Sequence, residues 1–160
     1  MKNIIFILLF FPFFYQSQSI IAPAEMDPHE VVLAHRAAKN FIGDSSITII
    51  IKPHSPLNPY INGLTYQINP KIYIIDLNYL LTSKTDRKWT LLHEIGHVID
   101  LNNGTLCQHP PRWMGRKMNP NLPWDVRPWE ISADMWAEKM WVALIDEPQP
   151  YVIFNVPPKK

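Results

Sequence analysis

Two histidines four residues apart, with a glutamate directly after the first, interrupt the most apolar helix candidate of the chain, WTLLHEIGHVID at residues 89–100. Burying an imidazole or a carboxylate costs several kcal/mol unless a partner satisfies it. On an α-helix a spacing of four residues turns through about 400°, so His93 and His97 leave one face a turn apart and converge on one ion. Glu94 lies about 100° round from His93, beside that ion rather than on it. This is the geometry of the His-Glu-x-x-His zinc motif, in which zinc polarises a water and a carbonyl and the glutamate takes the water's proton. Leu92, Ile95 and Ile99 supply the apolar stripe of the helix. Gly96 costs about 1 kcal/mol inside a helix and implies that another backbone, or the metal, comes close.

A catalytic zinc takes three protein ligands and leaves one position for water. Six residues beyond His97, where a metzincin carries its third histidine, stands Asn103, and the glycine position of that pattern holds Asp100; that class is excluded. The segment WEISADMWAEKMW, residues 129–141, offers Glu130 and Asp134 one helical turn apart. Ala133 and Ala137 share their side, and such small residues let a helix pack closely on its neighbour. A ligating carboxylate with a second one a turn on suits the need for an acceptor that fixes a ligating histidine's ring N–H. His109 and Asp125 lie in a loop, without the rigid element a precise site favours. Glu138 sits about 80° round the helix from Glu130. Cys107 or His109 as a fourth ligand would close a structural zinc site; the single cysteine is instead expected to be a small buried hydrophobe.

Taken together, His93-Glu94-Ile95-Gly96-His97 and Glu130-Ile131-Ser132-Ala133-Asp134-Met135-Trp136-Ala137 resemble the gluzincin zinc metallopeptidases. The E-x-x-A-D-x-aromatic-A pattern looks most like the ImmA/IrrE group of metallo-endopeptidases. The resemblance implies one Zn2+ per chain held by His93, His97 and Glu130, Glu94 as general base and acid, and Asp134 behind a ligating histidine. It also implies a zincin-like α+β fold with a strand edge that holds substrate backbone extended. That group is mostly cytoplasmic, whereas this chain reads as exported. HEIGHVID also resembles the secreted lethal-factor-type gluzincins, which match the Glu130 helix less well.

The elements that must position these residues follow from the pattern of the chain. Lys2 followed by an apolar run from Ile4 to Tyr15, broken by Pro12, reads as a signal peptide over residues 1–24, cleaved after Ala24 or after Ser19. The run is shorter than the roughly 20 residues of a membrane span, so no stable span is expected after cleavage. Residues 25–160 make one domain. A first helix runs from the Asp27 cap to Gly43, a second from Thr85 or Asp86 to Leu101, and a third from Trp129 to Ile145. SITIIIKP and the two halves of GLTYQINPKIYIIDL read as three strands, the last two a hairpin. PHSPLNPYIN is a loop, its His54 solvated, and the tail PQPYVIFNVPPKK is extended. TLCQHPPRWMGRKMNPNLPWDVRP is too rich in Pro, Asn and Gly for regular structure, and loops of that length tend to be functional.

Fifteen basic residues against fourteen acidic ones, without a basic block, exclude the electrostatic footprint of a nucleic-acid binder. The expectation is a secreted or periplasmic monomer, a zinc endopeptidase acting on a peptide or protein substrate. The alternative is a catalytically silent, zinc-stabilised secreted binding module, against which Glu94 argues because a structural site has no use for a base.

Overall fold

A computed structural model describes residues 18–53, 61–79 and 83–146. Most of the predicted signal peptide, His54 with its loop, and the predicted extended tail lie outside the described residues. The fold is α+β, as the sequence pattern predicts, with three α-helices and two small sheets among the described residues.

The larger sheet holds β1 (Ser19–Ile21), β2 (Thr48–Pro53), β3 (Gly63–Asn69) and β4 (Ile72–Leu77) in the order β1-β2-β4-β3. β1, β2 and β4 run parallel, and the β3–β4 hairpin adds β3 antiparallel at the edge. Alternation along the strands sends Ile49, Ile51, Tyr73, Ile75 and Leu77 into the core. There they meet Leu33, Ala34 and Ala37 of α1 (Pro28–Ala37) and Leu91, Leu92, Ile95 and Val98 of α2 (Lys84–Asn102).

β1 was not expected, since it falls within the predicted signal peptide. It pairs Ser19 to Ile21 with Thr48 to Ile50, and Ile20 and Ala22 pack on the core.

Local chemistry sets the helix starts. The Asp27 carboxylate accepts from His29 N–H at 2.9 Å ahead of Pro28, and Ser83 Oγ accepts from Asp86 N–H at 3.3 Å, which begins α2 at Lys84. α1 and α3 (Pro128–Trp141) each run on into a π-helical turn, Ala38–Ile42 and Val142–Asp146. Arg87 of α2 pairs with the buried Glu30 of α1 at 3.0 Å.

The segment expected to be irregular after α2 instead folds into a second sheet, β5 (Leu106–Gln108), β6 (Pro111–Trp113) and β7 (Arg116–Lys117), followed by a 3-10 turn at Trp124–Val126. Its prolines and glycine fall at the turns and at the first position of β6, where they cost no ladder bond. Alternation on β5 turns Leu106 inward and Cys107 outward, so the cysteine is exposed rather than buried. Among the described residues no helix is long and apolar enough to cross a membrane.

α3 lies against α2 at the closest point the backbones allow. A Cβ on Gly96 would stand 2.9 Å from the Ala133 carbonyl oxygen and 3.0 Å from its Cα, so the glycine is required by the approach of α3. Trp136 Nε1 donates to the buried Asp100 carboxylate at 3.2 Å and pins the same pair of helices. Glycine to alanine ordinarily stabilises a helix by about 1 kcal/mol. Here Gly96→Ala is expected to destabilise by about 1–3 kcal/mol, because the overlap is with main chain that cannot rotate away. Denaturant unfolding checks the sign.

Candidate metal centre

Three buried side chains from two helices meet where α2 and α3 touch. His93 and His97 come from α2 and Glu130 from the first turn of α3. Glu130 Oε2 lies 3.2 Å from His93 Nε2 and 3.2 Å from His97 Nε2, and one donor atom from each residue falls within 4.8 Å of the other two. These three can hold a metal ion. Among the described residues no other group of His, Cys, Asp and Glu does so. Of the rival ligands, His109, Asp125, Glu138 and Cys107 are all exposed and outside the cluster.

Asp134 stands where the sequence reading puts it, its Oδ1 2.8 Å from His93 Nδ1. Its own side chain is 54% exposed, so it reaches the ring from the solvent rim. Both ring nitrogens of His93 face carboxylate oxygens and each can donate; with a cation on Nε2, Asp134 would keep the ring proton on Nδ1. His97 Nδ1 is buried and, among the described residues, has no hydrogen-bond partner; the same holds for Asp100 Oδ2 one turn further along α2.

The charges of the cluster are mutually dependent. Burial pushes the Glu130 carboxyl up, but the hydrogen bonds from His93 and His97 outweigh it and hold it at about 2. Burial pushes the His93 imidazole down, and Glu130, the charge of Glu94 and Asp134 together reverse this, so that its net shift is upward. A lone pair on Nε2 opposite a carboxylate oxygen is repulsive unless a proton or a metal cation lies between them. Two imidazole nitrogens with one carboxylate oxygen are a donor set that such a cation satisfies.

Glu94 is buried beside the cluster and not in it. Its Oε2 accepts from Thr65 Oγ1 at 2.7 Å, and the same hydroxyl lies 3.1 Å from the Glu94 carbonyl oxygen. The carboxylate rests on the backbone of Gly63, where a Cβ would stand 2.5 Å from Oε1. Burial raises its pKa, with the charges of His97 and His93 and the Thr65 hydrogen bond pulling the other way. Gly63 and Thr65 were not singled out in the sequence. A glycine and a threonine at the start of a β-rich run carry no local signal of the helix they lie against.

The cluster opens into a cleft of about 740 Å³ lined by Gly63, Leu64 and Thr65 of β3, by Leu106 and Gln108 of β5, and by Trp124 among others. The Trp124 ring stacks near His93, centroids 6.2 Å apart at 22°. Tyr66, Tyr73, Tyr79, Arg112 and Arg127 are all chemically able to stabilise an oxyanion, and of these only Arg127 lines this cleft. Its Nε donates to the Leu122 carbonyl at 2.8 Å and its Nη2 to the Pro120 carbonyl at 3.0 Å, so it also ties down the segment leading to α3.

No protein-family model, curated protein or solved structure matches the chain, so the reading of the site rests on its own geometry.

The geometry ranks the substitutions. Asp134→Ala is expected to lower metal affinity about 10 to 100-fold by freeing the His93 ring. Glu130→Ala should lower it further, while His109→Ala and Glu138→Ala leave it unchanged. Competition against a chromogenic chelator reads all four; equal affinity in wild type and Glu130→Ala would remove Glu130 from the site.

Proposed function

We propose that the chain is an exported zinc metallopeptidase of gluzincin type with a zincin-like fold, hydrolysing peptide bonds in an extended polypeptide. The observation that carries the reading is the convergence of His93, His97 and Glu130 with a buried carboxylate held alongside but off the cluster. Three ligands of N, N, O type suit zinc and leave room for a further one. A purely structural site is closed by a fourth protein ligand, and among the described residues none stands at the cluster.

Bound to these residues, zinc supplies the Lewis-acid charge that lowers the pKa of water and polarises a carbonyl. The chain's own groups carry the proton traffic. Glu94 accepts a proton from the attacking water as the new C–O bond forms, then delivers it to the amide nitrogen as the C–N bond breaks. Thr65 holds the carboxylate by hydrogen bond, and Gly63, lacking a Cβ, leaves the space it occupies. The open edge of β3 and the apolar wall of Leu64, Leu106 and Trp124 suit an extended chain with apolar side chains. The apolar run at the start of the sequence supports an extracytoplasmic location, secreted or periplasmic, and a monomer suffices because all the named groups belong to one chain.

Glu94→Gln preserves volume and removes only proton transfer, so metal content and melting temperature should stay near wild type while hydrolysis falls by about 10²- to 10⁴-fold. Gly63→Ala should also lose activity with metal retained, because the added Cβ displaces the Glu94 carboxylate. A digest of a peptide library with and without chelator measures both. Wild-type hydrolysis in Glu94→Gln would remove Glu94 as the base, whereas a wild type that binds zinc and cuts nothing would shift the reading to the silent zinc-stabilised binding module.

A further inference from the structure

Among the described residues β3 ends its sheet, so its outer backbone groups offer a docking edge, yet part of that edge is already taken. Gln108, the last residue of β5, lays its side-chain amide along it. Oε1 accepts from Gln67 N–H at 2.9 Å and Nε2 donates to the Thr65 carbonyl at 2.9 Å. A primary amide carries the donor and acceptor of a peptide unit. Spanning the carbonyl of one residue and the N–H two residues on is what a residue of a neighbouring parallel strand does, and it takes the same two groups away from an antiparallel partner. Gln108 thus occupies the place of one residue of an added strand.

Alternate residues of a strand turn their N–H and C=O to the same side, so Gly63, Thr65 and Gln67 share this edge. The plug takes the Thr65 carbonyl and the Gln67 N–H and leaves the Gly63 end. Gly63 and Thr65 are also the residues that hold Glu94, so the plug begins immediately beside the base. A chain added antiparallel to β3, the more stable pairing per residue, runs with its amino-terminal part toward Gln67 and meets Gln108 there.

Resting on the peptidase reading above, we infer that Gln108 is a specificity-determining residue that closes the amino-terminal side of the substrate groove. The site takes polypeptides with few residues ahead of the bond to be cut, so it trims chains near a free amino terminus. Residues after that bond leave along the Gly63 end, where nothing equivalent to Gln108 stands among the described residues.

The test gives the zinc-loaded protein a mixture of linear peptides of natural sequence with free amino termini and maps the cuts by mass spectrometry. Cuts should cluster near the amino ends. For any peptide that is cut, lengthening it at the amino terminus should slow the wild type by about tenfold or more, the worth of two ladder hydrogen bonds. Lengthening it at the carboxyl terminus should not. In Gln108→Ala the amino-terminal penalty should vanish and cuts should spread inward. Gln108→Glu keeps the side-chain length but sets an oxygen against the Thr65 carbonyl, and should behave like Gln108→Ala. Amide exchange in the wild type, slow at Gln67 despite its place on an edge strand, checks the plug without turnover. Cuts indifferent to distance from the amino terminus, a penalty unchanged in both variants, or a rapidly exchanging Gln67 amide overturn the inference and leave the peptidase reading standing. Zinc bound with no peptide cut at all overturns both.

Discussion

Two imidazole nitrogens and a carboxylate oxygen buried within 4.8 Å of one another need protons or a cation between them. The rest of the structure around them serves that constraint. The ligands come from two helices, so the helices must touch; Gly96 and Ala133 allow contact at main-chain distance, and Trp136 hydrogen-bonded to Asp100 holds it. The core packs Leu91, Leu92, Ile95 and Val98 onto the sheet and so fixes the orientation of α2. Asp134 stands at His93 Nδ1, and Nε2 faces the cluster rather than the solvent.

The same packing separates two carboxylates by role. Glu130 is held ionised by the imidazoles it faces, whereas Glu94, against Gly63 and below Thr65, is pushed upward by burial. On the proposed peptidase reading the first ligates and the second exchanges a proton. The difference comes from their surroundings, because the two side chains are chemically identical. The hairpin serves both purposes: β4 is buried in the core, and β3 carries the groups that seat Glu94 and the edge that Gln108 partly covers.

What was legible in the sequence is what helical period alone decides. His93, Glu94 and His97 on one helix, Glu130 with Asp134 one turn on, and the close approach at Gly96 all follow from spacing and residue size. The hairpin was legible because its two β-rich pieces flank Asn69-Pro70. The second sheet was not, since strands of two and three residues leave too few positions for alternation to register, and composition alone favoured a loop. Cys107 was misplaced for the same reason: without the strand, nothing indicated that Leu106 would face in and Cys107 out. β1 was hidden by hydrophobicity, which a signal peptide and a sheet strand share. Thr65, Gly63 and Gln108 act through contacts 29 or more residues away in sequence, which no local pattern encodes.

The central claim is that the His93, His97 and Glu130 cluster is built around a cation. The most direct measurement is the metal content of protein purified without chelators, with the melting temperature recorded before and after metal removal. The account expects one zinc per chain and a lower melting temperature for the stripped protein, restored by adding zinc, since a metal that binds only the folded state stabilises it. Protein that carries no transition metal and shows no thermal shift with zinc would contradict it.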